Sequence, residues 1–179
     1  MSRFFNRAFR AAKLDASLFD EVMADAKAMT QAIIVVFIYG AAVAYGIFGR
    51  AGVSGINSAI FITLIGWYIW AFSIYFAGVR LFPEAGTTAD RKAFMRSMGF
   101  ASSPGWLCLL GLVPGLGITI LAGASVWMIV AAAVAVKQAL NFTSIYRATA
   151  ITVVCWIPSL LLQGLMYILV FSTFGVSQS

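Results

Sequence analysis

The chain contains no histidine. That removes the commonest general base near neutral pH, the commonest metal ligand and the usual axial ligand of haem. Cysteine is almost as scarce. Cys108 and Cys155 are the only two, each lies inside an apolar stretch, and they are far apart, so neither a disulfide framework nor a metal cluster is implied. Charged residues make up 10% of the chain, against about 25% in an ordinary soluble domain. None of them falls inside any of five long apolar stretches between Ala32 and Ser179. Buried chemistry needs a nucleophile with a base, a metal or a charge clamp, and membrane sites that move ions usually carry intramembrane charge. The reading is therefore not an enzyme, with no catalytic residue, no cofactor and no metal.

What the chain has in quantity is apolar surface. Hydrophobic residues are 62% of the sequence and aromatics 15%, with a mean hydropathy of +0.96. Stretches of about 20 apolar residues match the helix length that crosses about 30 Å of hydrocarbon. The expected fold class is all-α: a polytopic membrane helical bundle of five transmembrane helices, preceded by cytoplasmic amphipathic helices. The spans are expected at about 31–49, 58–79, 97–113, 118–136 and 148–174, so that residues 31–179 form the bundle and 1–30 a cytoplasmic or interfacial segment. Arg50 closes the first span. The third is short or kinked, because Ser102-Ser103-Pro104-Gly105 interrupts it, and Val113-Pro114-Gly115-Leu116-Gly117 then forces a tight turn. Pro104, Gly105, Pro114, Gly115 and Pro158 are the helix-break candidates. Pro104 and Pro158 are expected to be sheltered against neighbouring helices, since lipid offers no partner for a freed backbone group. Gly40 with Ala44, and Ala131 with Ala135, have the four-residue spacing of close helix contacts.

Charge sets the orientation. Net charge is +6, from Lys+Arg 12 against Asp+Glu 6. In a membrane protein this balance means basic loops facing anionic lipid rather than nucleic acid. With five spans, eleven of the twelve Lys and Arg gather on one side; without the third span the split becomes nine to three. The positive-inside rule thus favours five spans, a cytoplasmic N-terminus and an external C-terminus.

The N-terminus does not read as a cleavable signal, because acids rather than a short apolar core follow its arginines. Residues 2–13 predict a short amphipathic helix with Arg3, Arg7 and Arg10 on one face and Phe5 and Phe9 opposite, Phe4 at the border. Such a helix lies in the membrane interface, rings toward lipid and guanidiniums toward phosphate. A second helix starts near Asp15 or Ser17, both good N-caps. Its acids Asp15, Asp20, Glu21 and Asp25, together with Arg91, Lys92 and Arg96 of the second cytoplasmic loop, form a candidate partner-facing surface.

Several short segments resemble the Yip family (Ypt-interacting proteins) of integral membrane proteins, in its bacterial branch. They are Leu14-Asp15 with Phe19-Asp20-Glu21-Val22, Gln31-Ala32, Ile65-Gly66-Trp67 through Trp70-Ala71, Gly99-Phe100-Ala101 with Pro104-Gly105, Pro114-Gly115-Leu116-Gly117, and Trp127 with Val136-Lys137-Gln138-Ala139-Leu140. The resemblance implies a five-helix bundle in the bacterial cytoplasmic membrane with a cytoplasmic N-terminus. The preferred functional reading is a non-catalytic scaffold or accessory subunit. It contacts membrane lipids, and other integral membrane proteins or further copies of itself. The alternative is a transporter or channel for a small solute or lipid, with a site near the breaks at Pro104 and Pro114 lined by Asn57, Thr63, Ser73, Thr119, Ser125, Thr152 and Gln163.

Overall fold

The computed structural model describes residues 3–48, 52–84, 86–87 and 90–173. Arg50, expected to close the first span, and the end of the last span at 174 lie outside the described residues. In chain order the elements are α1 (Arg3–Ala12), α2 (Ala16–Ala24), α3 (Ala28–Phe48), α4 (Gly52–Phe76), α5 (Arg91–Ala101), α6 (Gly117–Ala139) and α7 (Ile145–Thr173). A π turn, Ala77–Leu81, extends α4, and a 3-10 segment, Ser103–Leu112, follows α5. No strand occurs among the described residues.

Among the described residues, four helices are long and apolar enough to cross a membrane: Ala28–Gly46, Val53–Leu81, Gly117–Ala139 and Ile145–Val170. The segment expected as the third span is not a continuous α-helix of that kind. It is α5 followed by the 3-10 segment, and the reason is local. Pro104 has no N–H to give the Phe100 carbonyl, so the α-pattern cannot continue. The Ser103 hydroxyl donates to that same carbonyl at 2.6 Å, and Ser102 Oγ donates to Met98 O at 3.3 Å. Beyond this point the chain tightens to three residues per turn, which aligns residues three apart. Ser102, Gly105, Cys108 and Gly111 form such a row of small residues; the first three are buried and Gly111 is half-buried, while Leu107, Leu109, Leu110 and Leu112 are exposed.

This hybrid segment packs between α3 and α6. A side chain added at Gly99 would meet Ala32, one at Gly105 would meet the Tyr39 ring and Met128 Sδ, and one at Gly46 would meet the Cys108 backbone. Gly99, Gly105 and Cys108 therefore lie successively beside Ala32, Tyr39 and Gly46, and the segment runs parallel to α3. All eight residues of 94–101 are buried, as expected of a helix at the centre of a bundle rather than on its lipid face.

The turns explain the remaining topology. Gly115, with φ +84°, allows the tight reversal into α6. At the other end of α6, Asn141 takes φ +53°. Phe142 N–H then donates to Lys137 O at 3.0 Å, a Schellman closure with the Phe142 ring buried beneath it. The following residues are tied to the loop after α4. Glu84 accepts from Thr143 N–H at 2.8 Å and Thr143 Oγ1 at 2.9 Å, and Arg147 lies 3.5 Å from Glu84 while donating to the Phe82 carbonyl at 3.2 Å. Pro104 is buried as expected. Pro158 is not: it sits on an exposed face of α7, which runs through it unbroken. Its apolar ring is compatible with an outward face.

Candidate functional site

Two places concentrate side-chain chemistry. The first is the N-terminal cap. Asp15 caps α2, its carboxylate accepting from Ser17 N–H at 3.0 Å and from Ser17 Oγ at 2.7 Å. Leu14, at φ +64°, turns the chain so that α1 folds back along α2, and Ala11, Leu18, Phe19 and Val22 join the buried core. The polar edges of both helices then meet. Arg7 is only 6% exposed. It donates to Glu21 at 2.9 Å, to Asp25 at 2.9 Å and to the Gln31 amide oxygen at 3.0 Å. Arg10 bridges Asp15 at 2.7 Å and Glu21 at 2.6 Å.

These contacts change the acidities in the direction that tightens the clasp. Asp15 is pulled down to about 2, first by the Ser17 hydroxyl and then by Arg10. Glu21 is lowered, chiefly by the hydrogen bond from Arg10, and Asp25 chiefly by that from Arg7. Burial works against the charged form of Arg7, but Asp25 and Glu21 outweigh it and raise its pKa. The cap is fastened to the bundle by Arg96, which is 7% exposed. Its guanidinium donates to the carbonyls of Val22 at 2.9 Å and of Met23, at the C-terminal end of α2, where cations are favoured.

The expected interface and partner residues therefore divide. Phe5 and Phe9 are exposed, Arg3 is exposed, and Phe4 packs toward Trp106 with ring centroids 6.1 Å apart. Arg7 is turned inward instead of toward phosphate, because two carboxylates and an amide offer it fixed partners. Arg10 is half-buried between carboxylates. Among the partner-facing candidates Asp20, Arg91 and Lys92 are exposed. Asp15, Glu21 and Asp25 are engaged by the two arginines, and Arg96 is buried as a structural clamp.

The second place is a cavity of about 300 Å³ within the bundle. Its walls come from α3, α4, α6 and α7 at helical spacings. Thr63, Gly66, Trp67 and Trp70 share one face of α4, Leu121, Ser125 and Met128 one face of α6, and Trp156, Leu160, Gln163, Gly164 and Tyr167 one face of α7. Tyr39 of α3 closes it, and both Tyr39 and Met128 press on Gly105. The cavity thus lies beside the Pro104-Gly105 break. Pro114 and Gly115 are elsewhere, in an open groove with Tyr45, Gly46 and Ile56 at one end of the bundle.

Among the described residues, no charged side chain lines this cavity. Four of its polar side chains are partnered: Thr63 Oγ1 and Tyr167 OH are 3.2 Å apart, Gln163 Nε2 donates to Ser159 O at 3.3 Å, and Trp70 Nε1 donates to Thr152 O at 3.3 Å. The Nε1–H of Trp67 is buried without an acceptor. Of the polar residues expected around a transport site, Thr63, Ser125 and Gln163 are on this wall and Asn57, Ser73, Thr119 and Thr152 are not. The aromatic walls were not singled out from sequence, although the i, i+3, i+4, i+7 spacing of Thr63, Gly66, Trp67 and Trp70 was there to find. No family model, no curated protein and no solved structure matches this chain.

Proposed function

We propose that this chain is a non-catalytic integral membrane protein of the bacterial cytoplasmic membrane, acting as a scaffold or accessory subunit through lateral helix contacts and a cytoplasmic face. The carrying observation is α7. Only 6% of its most apolar window is buried inside the bundle, against 44%, 39% and 33% for the other three long helices. Val154, Ile157, Leu161, Leu165 and Ile168 project from it into the surroundings. A helix attached by one narrow stripe offers the rest of its circumference to lipid and to neighbouring membrane helices. On the cytoplasmic side the α1–α2 cap is a preformed surface, with Asp20, Arg91 and Lys92 free to meet a partner.

Five crossings fit this reading, and two features support them. The loop after α4 and the loop after α6 touch through Glu84, Thr143 and Arg147, so they belong to one face. If α6 crosses, the segment before it must cross as well. Its length suffices: eight α-helical residues from Phe94 rise about 12 Å and ten 3-10 residues about 20 Å, together near the about 30 Å of hydrocarbon. The cations of the N-terminal cap, of the second loop and of the Lys137–Arg147 loop then share the cytoplasmic side, as in the Yip-like arrangement. Mild-detergent purification from native membranes tests the accessory role. A stoichiometric membrane partner, or a defined homo-oligomer, is expected; a chain that always elutes as a lone monomer would contradict it.

The transport alternative rests on the cavity beside Pro104-Gly105. Its uncharged lining suits a neutral solute or lipid and offers no group for ion coupling. Flux of a neutral solute into proteoliposomes above that of empty vesicles would favour it over the accessory role.

A further inference from the structure

We propose that α1 and α2 hold the phospholipid headgroups of the cytoplasmic leaflet about half-way down α6, so that the bilayer is thin on this face of the bundle and of full thickness on the face of α4 and α7. The inference rests on the membrane-spanning bundle and cytoplasmic N-terminus proposed above. It begins with where α1 lies. At one end of α1, Phe4 and Phe5 meet the Trp106 ring, with centroids 6.1 and 6.5 Å apart. At the other end, the Ala12 carbonyl accepts from Trp127 Nε1 at 2.8 Å. Trp106 and Trp127 stand at one level, because a side chain at Gly105 would lie 2.8 Å from Met128 Sδ. The helix therefore lies across the bundle and not along it. That level is deep. From Trp127 to Ala139, the cytoplasmic end of α6, the helix rises about 18 Å.

The two faces of α1 show what lies above and below it. On one face Arg7 reaches Glu21, Asp25 and Gln31, the last in the cytoplasmic end of α3. Phe5 and Phe9, on the opposite face, are exposed. An amphipathic helix with its cations on the water side and its rings on the other lies at the edge of the hydrocarbon. Below α1 the apolar surface is short: α6 rises only about 15 Å from Gly117 to Trp127. On α4, exposed apolar side chains run from Val53 through Phe61, Phe72 and Phe76 to Leu81, about 40 Å of helix. Gly40 lies beside Ile60 and Leu64, so Phe72 is about 12 Å nearer the cytoplasm than α1. One flat slab of hydrocarbon cannot match both faces. An inner edge at the end of α6 would sink the exposed Arg3 and Lys13 into hydrocarbon, which charged side chains avoid. An inner edge at Trp127 all round would leave Phe72 and Phe76 in water. A bilayer meets a short apolar surface by thinning there. Arg3 and Lys13, at the two ends of α1, then supply the countercharge for the phosphates.

The test measures depth with a nitroxide on single cysteines. It uses the full chain, with Cys108→Ala and Cys155→Ala, in phosphatidylglycerol–phosphatidylcholine nanodiscs. Lys13→Cys, Phe72→Cys and Leu161→Cys are all at exposed positions, and power saturation against oxygen and a water-soluble nickel chelate reads each label. The label at 13 is expected among the headgroups, with the higher chelate access. The label at 72 is expected in hydrocarbon, although it stands nearer the cytoplasmic end of the bundle. Asn6→Cys, also exposed on α1, should repeat the reading at 13. Chelate access at 72 equal to or above that at 13, with 161 in hydrocarbon, would mean a flat boundary at α1 and overturn the proposal. A label at 13 in hydrocarbon would mean a flat boundary at the end of α6 and overturn it too. A label at 13 shielded from the chelate and spin-coupled to a second copy would put protein where lipid is proposed, and would also overturn it. Free chelate access at 13, 72 and 161 alike would instead overturn the membrane-spanning reading on which the proposal rests.

Discussion

Arg7 and Arg96 hold the cap to the bundle, and each was readable in sequence only as a surface cation. Arg7 shares a helical face with Arg3 and Arg10, so periodicity alone directs it to phosphate. Its actual partners are Glu21 on α2, Asp25 at the C-cap of α2 and Gln31 on α3, and no helical period connects segments joined by a reversal at Leu14. The chemistry of the clasp is testable by pH. Asp15, Glu21 and Asp25 all have lowered pKa values in the folded chain. Their contribution is complete above the ordinary carboxylate range and is lost as pH falls through the folded values, down to about 2 for Asp15. Acidification from about pH 5 to about pH 2 should therefore release α1 and α2 before the bundle melts. Hydrogen exchange at residues 3–24 reads this; protection unchanged down to pH 2 would contradict it. At Arg96 the expected effect is on α2. Arg96→Met leaves the Val22 and Met23 carbonyls without their charged donor and should cost about 1.5–3 kcal/mol of cap docking. The loss should appear as faster exchange in α2 and as a lower melting temperature.

At the scale of elements, the hybrid third segment is the informative one. The break at Pro104-Gly105 was legible. What the chain does after the break was not, because 3-10 geometry is a tertiary outcome. It needs the row Ser102, Gly105, Cys108, Gly111 to press closely on α3, and a period of three in small residues is a faint signal beside the 3.6 of ordinary helices. The closeness of that contact makes a clear prediction. A methyl group at Gly46 would run into the Cys108 backbone, which cannot rotate aside, whereas one at Gly123 would meet nothing within 4 Å. Gly46→Ala should destabilise the bundle by about 1–3 kcal/mol through overpacking, and Gly123→Ala should not, with the gain in helix propensity offsetting any loss. Thermal unfolding of the two variants in detergent checks the contrast. Equal melting temperatures would mean that α3 and the 3-10 segment are not in contact there.

For the whole molecule, the long apolar helices and their order could be read from composition and spacing alone, because about 20 uncharged apolar residues have few other uses. The site could not. A cavity assembled from Tyr39, Trp67, Trp156 and Tyr167 draws on three helices distant in sequence, and each ring by itself reads as ordinary packing. The sidedness of the molecule depends on the path of residues 94–113. Impermeant maleimide labelling in intact cells tests that path most directly, using single cysteines at Leu116 and at Ser144 after Cys108 and Cys155 are replaced by Ala. With the third segment crossing, Leu116→Cys labels from outside, and Ser144→Cys labels only after the membrane is permeabilised. Labelling of Ser144→Cys in intact cells, or protection of both positions, would contradict the account.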